Sequence, residues 1–162
     1  MGSPHLKMED RLIPSNKKNG SGHATRYAFN VTRQSFVNLG VKVAGGTLAR
    51  LRGLLGKVRL RSNEGLWVVP SRGIHTFGLM FPIDVIYLDA QVRVVHLIED
   101  LGPLRIAPIR LNTESILELP SRSIFGSGTQ IGDQLMICSP DEMESFWTSK
   151  TSKPIEAPAR GV

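Results

Sequence analysis

A chain of 162 residues is long enough to bury one sizeable core and sits within the usual range for a single domain. Its 41% apolar and 21% charged residues are those of a globular protein, while sixteen Gly and ten Pro favour turns and short strands over long helices. The net charge of +6 is spread, with five Lys/Arg against two acids over residues 1–26, twelve against eight over 27–138 and three against four over 139–162, so no dense basic stripe argues for nucleic acid.

Residues 1–24 include Asn16-Lys-Lys-Asn-Gly-Ser-Gly22 and almost no apolar periodicity, which predicts a flexible N-terminal arm. The segment holds no apolar run of a secretory signal, Leu6 breaks the myristoylation pattern, and nothing in the chain is long enough to span a bilayer; a cytoplasmic address without membrane attachment is expected. One β-rich domain is expected over 25–147. Tyr27–Val31 and Phe36–Ala44 alternate apolar and polar residues and predict a first pair of strands. Thr47 then offers an N-cap oxygen, Leu48, Leu51, Leu54 and Leu55 share one helical face, and Gly56 suits a C-terminus: one short amphipathic helix is predicted near residues 48–55.

Gly65–Val69 reads as a buried strand stopped by Pro70, and Gly73–Phe77 as another ended near Gly78. Ile83–Leu88 and Val92–Ile98 are β-branched and apolar on both faces, joined by Asp89-Ala90-Gln91, which predicts a hairpin covered on each side. A Pro-containing loop from Leu101 to Asn112, a strand Ser115–Leu119, turns through Gly126-Ser-Gly128 and a closing strand Gln134–Cys138 after Gly132-Asp133 complete the domain. Residues 148–162 read as a flexible tail, with Met143, Phe146 and Trp147 able to dock just before it. The fold class expected is mainly β, a small β-barrel or sandwich-like domain with helical decoration.

The ordered set Arg50-Leu-Arg-Gly-Leu-Leu-Gly-Lys57, Gly73-Ile-His-Thr-Phe-Gly-Leu-Met-Phe-Pro-Ile-Asp-Val85, Ile86-Tyr-Leu-Asp89, Val92–Val95, Leu117-Glu-Leu119 and Gly132-Asp133 resembles the bacterial and archaeal domain of unknown function 192 family, over residues 40–138. The resemblance implies a small, predominantly β domain and brings no established activity, substrate or cofactor. Two departures stand out: Ser71 where some members carry Cys, and Leu79-Met80 in place of Met-Arg.

The densest polar constellation is His75, Thr76 and Asp84. If a four-residue loop joins the strand ending near Gly78 to Ile83, Phe77 lies opposite Asp84, and His75 and Asp84 become diagonal neighbours about 7 Å apart on one face. A carboxylate holding one ring nitrogen would fix the imidazole tautomer and raise its basicity. The plainer alternative makes Asp84 an acceptor for backbone amides and His75 a satisfied sheet histidine. Glu118 is either an outward charge or a partner for a buried Arg. The lone Cys138 excludes an internal disulfide, and His5, His23, His75 and His96 are too scattered for a metal site, so neither metal nor cofactor is expected.

The function these residues favour is a non-catalytic binding or interaction domain, presenting a polar pocket of His75, Thr76 and Asp84, with Arg50 nearby, to a small polar ligand or protein segment. The alternative is a metal-independent enzyme using His75 and Asp84 as an acid/base pair. A second alternative is weak nucleic-acid binding through Arg50, Arg52, Lys57, Arg59 and Arg61, which the spread of charge and the lack of interleaved aromatics argue against.

Overall fold

A computed structural model describes residues 25–45 and 59–151. Seven strands form one curled sheet: β1 (Arg26–Asn30), β2 (Ser35–Ala44), β3 (Gly65–Val68), β4 (Ile83–Leu88), β5 (Val94–Leu101), β6 (Ser115–Pro120) and β7 (Leu135–Cys138), in the spatial order β5-β4-β6-β3-β2-β1-β7. All neighbours are antiparallel except β2 and β3, whose parallel pairing demands a crossover. That crossover contains residues 46–58, so the helix predicted at 48–55 lies outside the described residues.

The sheet curls until its two edge strands meet at one end. Arg93 faces Gln134, Val94 N–H donates to Asp133 O (2.9 Å), and Leu135 N–H donates to Val92 O (3.1 Å). The domain is therefore mainly β and barrel-like, as the pattern of short strands predicts. One apolar layer, including Trp67, Ile86, Leu117 and Leu135, fills one face, and a second, including Val68, Val85, Tyr87 and Ile116, fills the other. All six residues of β4 are buried, which matches its apolar residues on both faces.

Several expectations are corrected. β5 begins at Val94 rather than Val92 and is an edge strand, with Val95–Ile98 only half-buried. Val92 is left out of the ladder at φ 61°, in a turn held by Asp89 Oδ1, which accepts from the N–H groups of Gln91 and Arg93 (both 2.9 Å). The segment 73–77 forms a single bridge instead of a strand. The turns expected around Gly126 include a short helix, α1 (Ser123–Ser127), closed by Gly128 at φ 65°.

A second helix, α2 (Pro140–Thr151), follows β7. Its start is a reciprocal cap: Ser139 N–H donates to Glu142 Oε2 (2.6 Å) and Glu142 N–H donates to Ser139 Oγ (3.2 Å). Met143 docks the helix in a small cluster with Phe29 and Cys138, and Phe146 and Trp147 contact Phe29 edge-on. Burial, reinforced by Glu142, pushes the Cys138 thiol up to about 11, so it is an inert packing group.

A polar network fastens the end where the sheet edges meet. Asp133, buried, accepts from Asn30 Nδ2 (2.9 Å), Gln130 N–H (2.8 Å) and Arg33 Nε (3.0 Å). Burial alone would raise its pKa, but the bonds from Asn30, Gln130 and Arg33 outweigh it and hold the carboxyl below its usual range. A depressed folded-state pKa gives stability that is present above the unfolded value, about 3.9, and lost as pH falls through the folded one. Asp133→Asn should therefore lower the urea midpoint at pH 7, and the difference from wild type should shrink as the pH drops below about 4. A difference that stays constant with pH would show that the charge plays no part.

Candidate functional site

Of the sequence candidates, Asp84 sits in β4, while His75 and Thr76 sit on a segment that pairs outside the main sheet. Residues 72–76 run antiparallel to 105–110, joined by Thr76 N–H to Arg105 O (2.8 Å), Ala107 N–H to Ile74 O (2.8 Å) and Arg110 N–H to Arg72 O (2.9 Å). His75 faces Ile106 in this ribbon. Because the flanking residues exchange the bonds, the N–H and C=O of His75 and Ile106 point outward along the two edges. Gly73 permits the close approach, since a Cβ there would lie 3.0 Å from Ile109 Cγ1.

Thr76 is fully buried and acts as the ribbon's fastener. Its hydroxyl donates to Gly102 O (2.7 Å) and accepts from Arg105 N–H (2.9 Å), while its carbonyl accepts from Leu79 and Leu104 N–H. Asp84 is fully buried too. Its Oδ1 accepts from Asp100 N–H (3.1 Å) and its Oδ2 from Ile124 N–H (2.9 Å), tying β4 to the end of β5 and to the first turn of α1. His75 is exposed, its ring stacked on Phe77 at 5.0 Å.

No hydrogen bond joins His75 to Asp84 among the described residues. The register that would set Phe77 opposite Asp84 is not formed: Asp84 faces Leu119 of β6, and β5 flanks β4 on the other side. The long apolar strands β5 and β6 bury more surface against β4 than the short segment 73–77 could, and that segment instead pairs with 105–110. Arg50, Arg52 and Lys57 lie outside the described residues, and Arg59 and Arg61 are exposed. Glu118 is buried in β6, which removes the outward-charge alternative. Among the described residues no cluster of His, Cys, Asp and Glu could hold a metal ion, and no helix is long and apolar enough to cross a membrane.

The sequence reading missed the most unusual feature of this region. Phe77, Met80, Leu104, Ile106, Ile109 and Leu111 are all exposed, Met80 and Leu111 by 80% and 82%. Single exposed apolar residues are ordinary, but six on these two paired segments and the residues that flank them, 77–80, 104 and 111, are not. The signal was present in Leu104-Arg-Ile-Ala-Pro-Ile-Arg-Leu111, a loop far more apolar than exposed loops usually are. Below it, the buried Tyr87 donates its hydroxyl to Pro108 O (3.0 Å) and its ring meets His96 edge-on. Arg110 Nη2 donates to His96 Nε2 (3.2 Å); guanidinium has no acceptor, so that nitrogen carries no proton. Burial, then the charge of Arg110, lowers the His96 pKa.

The family model DUF192, described as an uncharacterised ancient conserved region, matches residues 28–137. A crystal structure from Sinorhizobium meliloti, named there as a candidate transcription regulator, is similar with a TM-score of 0.61 at 17% identity, covering 73% of this chain and 98% of that one. A protein of unknown function from Novosphingobium aromaticivorans is similar with a TM-score of 0.60 at 16% identity, covering 82% and 99%. At such identities the likeness is one of fold. No curated protein matches the chain.

Asp84→Asn places an amide donor against a backbone N–H and should cost about 1–3 kcal/mol in urea denaturation, whereas His75→Gln should stay within about 0.5 kcal/mol. Comparable losses in both would mean that His75 belongs to the buried network. In an NMR titration the His96 ring should protonate below the ordinary histidine value of about 6.5 and move upward in Arg110→Ala. An unmoved midpoint would remove Arg110 as a cause.

Proposed function

Since the chain belongs to the DUF192 family, whose fold comes without an assigned activity, we propose that it is a non-catalytic interaction domain whose contact surface is the ribbon of residues 72–80 and 104–111. The observation that carries this reading is the set of six exposed apolar side chains on those two segments. Water-exposed apolar surface of this kind is stabilised when a partner covers it.

His75 contributes to the contact directly, through its exposed ring and its outward backbone groups. Thr76 and Asp84 act through the ribbon: Thr76 sets the distance between its segments, and Asp84 fixes the end of β5 from which the second segment departs. The division of labour also speaks for binding over acid/base chemistry. A catalytic pair must share a proton in an open cleft, yet each Asp84 oxygen already accepts a backbone N–H in the interior. A cytoplasmic setting is part of the same proposal, supported by a sequence whose single cysteine cannot form an internal disulfide.

A phage-displayed peptide library selected against the domain tests the proposal. Clones retained by wild type should be lost on Ile106→Asp and Ile109→Asp, two exposed sites whose substitution should leave the melting temperature unchanged within about 2 °C. Clones that ignore both substitutions would overturn the proposed surface. A metabolite that raises the melting temperature of wild type but not of His75→Gln would replace it with a small-ligand site.

A further inference from the structure

Resting on the interaction-surface reading, the geometry points to an occupant of one kind: we infer that the ribbon binds an extended, acidic and apolar segment of another protein, added as a strand along the outer edge of residues 105–110. The backbone supplies the first part of the argument. The N–H and C=O of Ile106 face away from His75 and make no bond to any described residue, so an added strand can bond to the edge there, while Pro108 has no N–H to offer and gives its carbonyl to Tyr87.

Charge supplies the second. Arg105 and Arg110 alternate with the exposed Leu104, Ile106, Ile109 and Leu111, and neither guanidinium meets a carboxylate among the described residues. Arg110 is held instead by the unprotonated nitrogen of His96, which leaves its positive charge uncompensated. Arg72, at the far end, shares an exposed pair with Glu114 at 3.3 Å, which a partner's carboxylate can replace at little cost. In an added strand side chains alternate, so apolar groups would lie beside Ile106 and Ile109 and carboxylates beside Arg105 and Arg110.

Two other occupants fit less well. A second copy of this chain would bring four uncompensated arginines together across a two-fold axis, and like charges so placed repel. A lipid surface would cover the apolar side chains but leave the Ile106 N–H and C=O without partners.

The test uses fluorescence anisotropy with three synthetic peptides of about twelve residues: one alternating Glu with Val and Leu, its Lys-for-Glu counterpart, and a scrambled acidic control. The alternating acidic peptide should bind at least about tenfold tighter than the other two, lose that advantage at high salt, and lose binding on Ile106→Asp. In the double variant Arg105→Glu/Arg110→Glu the preference should reverse toward the Lys peptide. Equal binding of all three, still lost on Ile106→Asp, would overturn the acidic inference while leaving the interaction surface standing. No binding of the acidic peptide, a dimer that Ile106→Asp dissociates, or cosedimentation with phosphatidylserine vesicles would each overturn the inference in favour of another occupant.

Discussion

The fully buried carboxylate of Asp84 is the constraint around which the molecule is arranged. A charge withdrawn from water must be met by donors, and here two backbone N–H groups from distant parts of the chain meet it, Asp100 and Ile124. Because Asp84 sits where the β4–β5 ladder slips register, its side chain can reach the neighbouring backbone at the left-handed Asp100. One side chain thus sets where β5 ends, where α1 begins and, through Gly102 and Thr76, where the exposed ribbon leaves the sheet.

This arrangement separates roles that the sequence places side by side. His75 and Thr76 are adjacent, yet one is exposed and the other fully buried, as neighbouring residues in an extended segment must be when one face meets the core. Buried polar groups with satisfied bonds hold the backbone in place, and exposed apolar groups on that held backbone are then presented in a fixed array. Rigidity of this kind reduces the ordering penalty when a partner docks.

Much of the fold was legible because burial leaves a periodic signature. Ile83–Leu88 and Ser115–Leu119 read as strands from their β-branched and apolar residues, and Tyr27–Val31 with Phe36–Ala44 read as a pair from their alternation. Other features depend on contacts remote in sequence. Nothing local distinguishes Val92–Ile98 as an edge, since its partner choice is decided by β6 lying on the other side of β4. Gly73–Phe77 has the letters of a strand, but Thr76 turns its hydroxyl and carbonyl to the 102–105 loop. The cap of α2, Ser139-Pro-Asp-Glu142, was readable and overlooked. For the site, the residue types His75, Thr76 and Asp84 were visible, but which of them face solvent was not, because exposure is decided by the sheet register.

The pairing of β1 with β7 sets the timetable of the molecule's birth. The first strand of the described domain, Arg26–Asn30, bonds on one side to β2 at once but waits on the other for Leu135–Cys138, more than a hundred residues later. During synthesis at about 5–20 residues per second, that edge stays unpaired for several seconds, with the buried Ala28 and Phe29 uncovered. The ribosome must release nearly the whole domain before its sheet can close.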